Sequence, residues 1–198
     1  MRKKILSIFI LFLMLTILTV NKEVHGAATV PLSVTVNGAL VISDASNDTM
    51  SGKDPTINVN LSVTPDLGQA TVTGGANFRI RTNRSAWRLT AQRTASNAGG
   101  TGITDSDVSV TIAKSAGSTA NANAGSLVSP FNAATTLMSI PTTTASDVVS
   151  GIAKTSSSKD GSNTNNYFQV NTTYGIDPDF FYTPGTFSST ITYNLVSP

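Results

Sequence analysis

Residues 85–93 read SAWRLTAQR and contain the only tryptophan of the chain, Trp87. Trp87, Leu89 and Ala91 alternate with Arg88, Thr90 and Gln92. Successive side chains of a strand point to opposite faces, so a period of two sets an apolar side against a polar one. An indole on the apolar side brings a large area to bury. The stretch therefore reads as a strand that places Trp87 in a sheet-on-sheet core. The competing reading, an exposed ring on which sugars stack, does not explain why Leu89 and Ala91 share its side.

The same period runs through the chain. Val30, Leu32, Val34 and Val36 form one apolar side, and Ile57, Val59, Leu61 and Val63 form another. Val72 within 69–73, Phe78 with Ile80, and Val108, Val110 and Ile112 continue the series. Phe168 and Val170 share a side of the stretch 167–174, and Phe187, Ile191, Tyr193 and Leu195 line the last. Turn chemistry separates these runs: Asn37-Gly38 as a hairpin signal, Pro65-Asp66-Leu67-Gly68 as a β-turn, and Gly74-Gly75 as a break. The stretch 82–85 is short enough to join 77–82 and 86–92 as a hairpin. Short alternating runs between turns predict an all-β fold, an antiparallel β-sandwich of Greek-key or immunoglobulin-like type. Residues 114–135 and 141–164 read as long Ser-, Thr-, Asn- and Ala-rich loops, the second with room for one short helix near 145–152.

The first 26 residues read differently. Arg2, Lys3 and Lys4 precede an apolar run from Ile5 to Val20, and small residues follow at Gly26-Ala27. This is the pattern of a secretory signal peptide, with residues 27–198 as one mature domain. The run is short for a spanning helix, which needs roughly 20 apolar residues, so no membrane segment is expected after cleavage. Removing residues 1–26 takes four of the 13 basic residues and one of the 11 acidic ones, leaving nine against ten. The formal charge thus moves from +2 to −1, and the basic character of the full sequence gives no support to nucleic-acid binding. The single histidine, His25, and the single glutamate, Glu23, go with that segment, and the chain has no cysteine. A Ser-His-Asp triad, a thiol nucleophile and a histidine zinc site are therefore unbuildable in the mature chain. The expectation is a non-enzyme without cofactor. Its 172 residues (198 less 26) are enough to bury roughly 70% of the unfolded surface without disulfides.

All five arginines of the mature chain, Arg79, Arg81, Arg84, Arg88 and Arg93, fall within fifteen positions. If 77–82 and 86–92 are hairpin partners, Arg79, Arg81 and Arg88 stand together on the outer side, with Arg84 at the turn. Guanidinium forks suit phosphates and carboxylates, so such a ribbon is a candidate site for an anionic wall polymer. The alternative is a solvated face whose arginines pair with some of the ten aspartates. Asp105 with Asp107, Asp177 with Asp179, and Asp44 with Asp48 supply oxygen pairs of the kind calcium takes, but turn-forming aspartates look the same and no EF-hand spacing is present. No metal site is assigned.

Two stretches together resemble the WxL-type surface domains of Gram-positive bacteria. Trp87-Arg88-Leu89-Thr90-Ala91 is similar to the first motif of that family. Pro184-Gly185-Thr186-Phe187, then 190–195 and Pro198, resemble the second, with Tyr193 where the family places tryptophan. The resemblance implies a scaffold motif of Trp87, Leu89, Tyr193 and Leu195 and a secreted protein held non-covalently at the cell wall, with wall polymer or other surface proteins as partners. An alternative stands beside it: a pilin-like subunit that assembles with itself by strand complementation, using Val30, Leu32, Val34 and Val36 as the donor strand. In that reading Pro31 is tolerated only at an edge or an early strand position.

Overall fold

The computed structural model describes residues 31–198, so the segment 1–26 expected to be a signal peptide and Val30 lie outside the described residues. The chain divides into two units, Met1–Val36 and Asn37–Pro198. In the first, residues 31–36 belong to no strand, contrary to the expectation of an N-terminal strand, and Leu32, Val34 and Val36 are 88%, 78% and 79% exposed. The second unit is all-β.

Its nine strands are β1 (Leu40–Asp44), β2 (Val72–Thr82), β3 (Trp87–Arg93), β4 (Val108–Ala116), β5 (Gly125–Leu127), β6 (Thr135–Thr136), β7 (Ser146–Gly151), β8 (Phe168–Ile176) and β9 (Ile191–Val196). They form a five-stranded sheet ordered β1-β2-β8-β4-β6 and a four-stranded sheet ordered β5-β7-β3-β9. Every pairing is antiparallel. The two sheets face each other across one core, as the alternating runs require.

Trp87 lies at the centre of that core, fully buried. Its ring meets Phe168 of the opposite sheet edge-on at 5.6 Å, and its indole N–H donates to the carbonyl of Ala153 at 2.8 Å. The ring has room because its cross-strand neighbours are glycines. A β-carbon on Gly151 would stand 2.1 Å from the indole, and one on Gly125 in tight contact with it at 3.0 Å. Farther along, Phe78 of β2 packs on Tyr193 of β9 at 4.9 Å, and the hydroxyls of Tyr174 and Tyr193 meet at 3.0 Å. Both contacts join one sheet to the other.

Four expectations need correction. β2 and β3 are not hairpin partners: β2 lies between β1 and β8, β3 between β7 and β9, and the link 82–85 crosses from one sheet to the other. The end of β2 is held at that corner by Thr155, which donates its backbone N–H to the carbonyl of Thr82 and accepts the N–H of Thr82 on its hydroxyl, both at 3.0 Å. The short helix expected near 145–152 is strand β7. Val149 pairs with Leu89 and Asp147 with Thr90, so Val148 is an inserted residue at a bulge. Two consecutive valines are consequently buried, and the period of two that marks the other strands is lost.

Gly74-Gly75 is no break but the interior of β2. Val59 and Leu61 occupy the space that a β-carbon on Gly74 would need, each 2.8 Å from it. The run from Ile57 to Val63 keeps its alternation, with Ile57, Val59 and Leu61 packed on the core, yet joins no strand. The turn at Leu67-Gly68 forms as expected, with Gly68 at φ +67°.

Candidate functional site

Because β2 and β3 belong to different sheets, the arginines do not form one ribbon. Arg79 and Arg81 stand on the outer face of the five-stranded sheet, and Arg88 on the outside of the other. Arg84 sits in the link between them, its guanidinium against Gly38. Arg93 has the same parity as Trp87, Leu89 and Ala91, so it turns inward and is buried. There it donates to Asp105 at 2.6 Å and to the carbonyl of Leu137 at 3.2 Å. A buried guanidinium without such partners would cost several kcal/mol, roughly, so this pairing is a condition of the fold.

Arg79 and Arg81 converge on one carboxylate. Asp48 accepts from Arg79 at 2.8 Å, from Arg81 at 2.7 and 2.6 Å, and from the hydroxyl of Ser43 at 2.7 Å. The Arg81 contact, with lesser help from Ser43 and Arg79, holds the Asp48 carboxyl well below its ordinary range against the opposing effect of burial. Arg79 also lies flat over Tyr167 at 3.9 Å and donates to Gln169 at 3.0 Å, while Arg81 donates to Asn166 at 2.9 Å. Two guanidinium groups and one carboxylate leave a single net positive charge at this corner. Arg88 has a looser partner, Asp147 at 3.1 Å, on a half-exposed surface where such a pair contributes little. The aspartate pairing of the alternative thus fits these side chains better than a free basic ribbon does, although Arg79, Arg81 and Arg93 are mostly buried rather than solvated.

From Arg79 and Tyr167 a polar face extends across the outer side of the five-stranded sheet. The outward residues of β2, β8 and β4 lie side by side in rows: Arg79, Gln169 and Ser115; Asn77, Asn171 and Ala113; Gly75, Thr173 and Thr111; Thr73, Gly175 and Ser109. Apart from Arg79 they are neutral: eight carry a hydroxyl or an amide, and Gly75, Ala113 and Gly175 add no polar group. Gln169 donates to Asn171 at 2.6 Å, and Asn171 to Ser115 at 3.3 Å. Only the strand order places them in one plane. Beyond β8 the chain presents a second feature the sequence reading passed over: Phe180 and Phe181 are 71% and 77% exposed.

The aspartate pairs have local duties. Asp105 accepts from Arg93 and Ser96, Asp107 from the backbone and hydroxyl of Thr104, Asp177 from Thr71, and Asp179 from the backbone of Phe181. Asp44 caps the turn at Ser46. Among the described residues no three acidic groups converge as a metal cage would require.

The motif residues Trp87 and Leu89 on β3 and Tyr193 and Leu195 on β9 belong to neighbouring strands, with Leu89 opposite Leu195 and Ala91 opposite Tyr193. No helix among the described residues is long and apolar enough to cross a membrane. No family model and no curated protein matches the chain.

Proposed function

We propose that the chain is an exported, non-catalytic cell-surface protein that associates non-covalently with the cell wall, through the outer face of the five-stranded sheet. The observation that supports this reading is the plane of neutral hydroxyl and amide side chains on β2, β8 and β4, bordered by the Arg79–Arg81–Asp48 corner and Tyr167. Such a surface offers many hydrogen bonds to a glycan laid across it. The residual positive charge suits an anionic polymer. The test is sedimentation with purified cell walls. Replacing Asn77, Asn171 and Thr173 together by alanine should release most of the protein to the supernatant, and Arg88→Ala on the other sheet should not. Unaltered sedimentation of the triple variant would refute the assignment of this face.

A second reading, a pilin-like subunit that polymerises through its N-terminal segment, is favoured by the exposure of Leu32, Val34 and Val36. Three aliphatic side chains in alternation, turned to solvent, are the form a donor strand takes before it finds an acceptor.

A further inference from the structure

The sandwich has four edge strands, and three of them are protected. β5 and β6 are only three and two residues long, and β1 ends in a charge at Asp44. β9 differs. Its sequence, ITYNLV, contains no charge and no proline, and its pairing with β3 shows no bulge. It has β3 on one side and, among the described residues, no strand on the other. Its inward residues Ile191, Tyr193 and Leu195 are only partly buried, whereas Leu89 and Ala91 beside them on β3 are fully covered. Ile57, Val59 and Leu61 pack on the core without forming a strand. Among the described residues the four-stranded sheet thus ends in an unpaired strand with a partly buried apolar margin, the feature that natural sheets ordinarily blunt.

The same chain holds a segment of matching character. Residues 31–36, PLSVTV, carry no charge, join no strand, and expose Leu32, Val34 and Val36. Their number equals that of β9. Pro31 stands at the first position, where a missing N–H interrupts no ladder. Resting on the second reading above, we propose that residues 31–36 of one copy add as a fifth strand beside β9 of another copy. Leu32, Val34 and Val36 then continue the row of Ile191, Tyr193 and Leu195, and main-chain hydrogen bonds fill the free side of β9. A contact of this head-to-tail kind uses two different surfaces of each copy, so it propagates into chains rather than closing as a pair.

The absence of cysteine from the sequence makes the test clean. Cysteines are placed at outward positions of the two segments, Ser33→Cys with Thr192→Cys or with Asn194→Cys, in the exported protein. The two positions on β9 cover neighbouring registers. Oxidation at high concentration should give a ladder of covalent multimers with the double variants, and nothing beyond dimers with each single variant. Adding Val34→Asp should lower the multimer fraction at least about tenfold, because burying an unpaired carboxylate costs more than the ~1.4 kcal/mol that a factor of ten represents. Multimers that need residues 31–36 but do not cross-link to β9 would overturn the choice of edge and leave the second reading standing. A monomer at every concentration would overturn both, and a cross-link closed within one chain would overturn the assignment to a second copy.

Discussion

Gly151 is as informative a position as the tryptophan it faces. The place a β-carbon would take is filled by the indole of Trp87, at a distance no β-carbon tolerates, and the obstacle is a rigid ring in a packed core. Gly151→Ala should therefore destabilise the protein by about 2 kcal/mol or more, read as a lower urea midpoint with an unchanged slope. Asp48 acts through charge instead. Its folded pKa lies below the unfolded value of about 4, so its contribution is present above that pH and is lost as the pH falls through the range beneath it. Thermal melts from neutral to acid pH should show this loss. Asp48→Asn should flatten the acid limb while lowering neutral stability by about 1.5–3 kcal/mol, since Arg79 and Arg81 lose their shared acceptor.

Within β2 two adjacent glycines have opposite reasons to be there. Gly74 looks inward and is needed, because Val59 and Leu61 fill the place of a side chain; Gly75 looks outward, with ordinary contacts only. Gly74→Ala should cost about 1 kcal/mol by displacing the 57–63 run. Gly75→Ala should be neutral or stabilising by a few tenths, as roughly expected for removing an unconstrained strand glycine. Equal losses from both substitutions, measured by chemical denaturation, would show that the 57–63 run does not pack where the structure places it. β7 teaches the converse lesson. Its bulge buries Val148 beside Val149, and a strand whose apolar residues are consecutive carries no local mark that separates it from a helix turn.

At the scale of the whole molecule, the Tyr174–Tyr193 contact ties one sheet to the other. Burial raises the pKa of both phenols, for Tyr174 reinforced by its partner. A raised folded pKa means that their contribution is complete below the unfolded value of about 10 and is lost as the pH rises above it. Phenolate absorbance of these two tyrosines should therefore appear together with the loss of the β circular dichroism signal, not before it. Conversion of Tyr193 to Phe should make alkaline unfolding less steep. Early ionisation with the fold intact would show that the sheets are apart at this end.

The strands containing Trp87, Val110 and Val170 were legible in the sequence because inward and outward sides follow from a period of two, a property of neighbouring residues alone. Which sheet each strand joins was not legible, and on that hung the candidate site. Antiparallel pairing joins residues far apart in the chain, such as Val72 with Ile176, through backbone groups that every residue carries alike. So the alternating pattern determined that this chain builds a two-layered core around an indole. Only the tertiary structure decided that Arg79 and Arg81 share Asp48 away from Arg88, and that Asn77, Asn171 and Thr173 stand together on one open face.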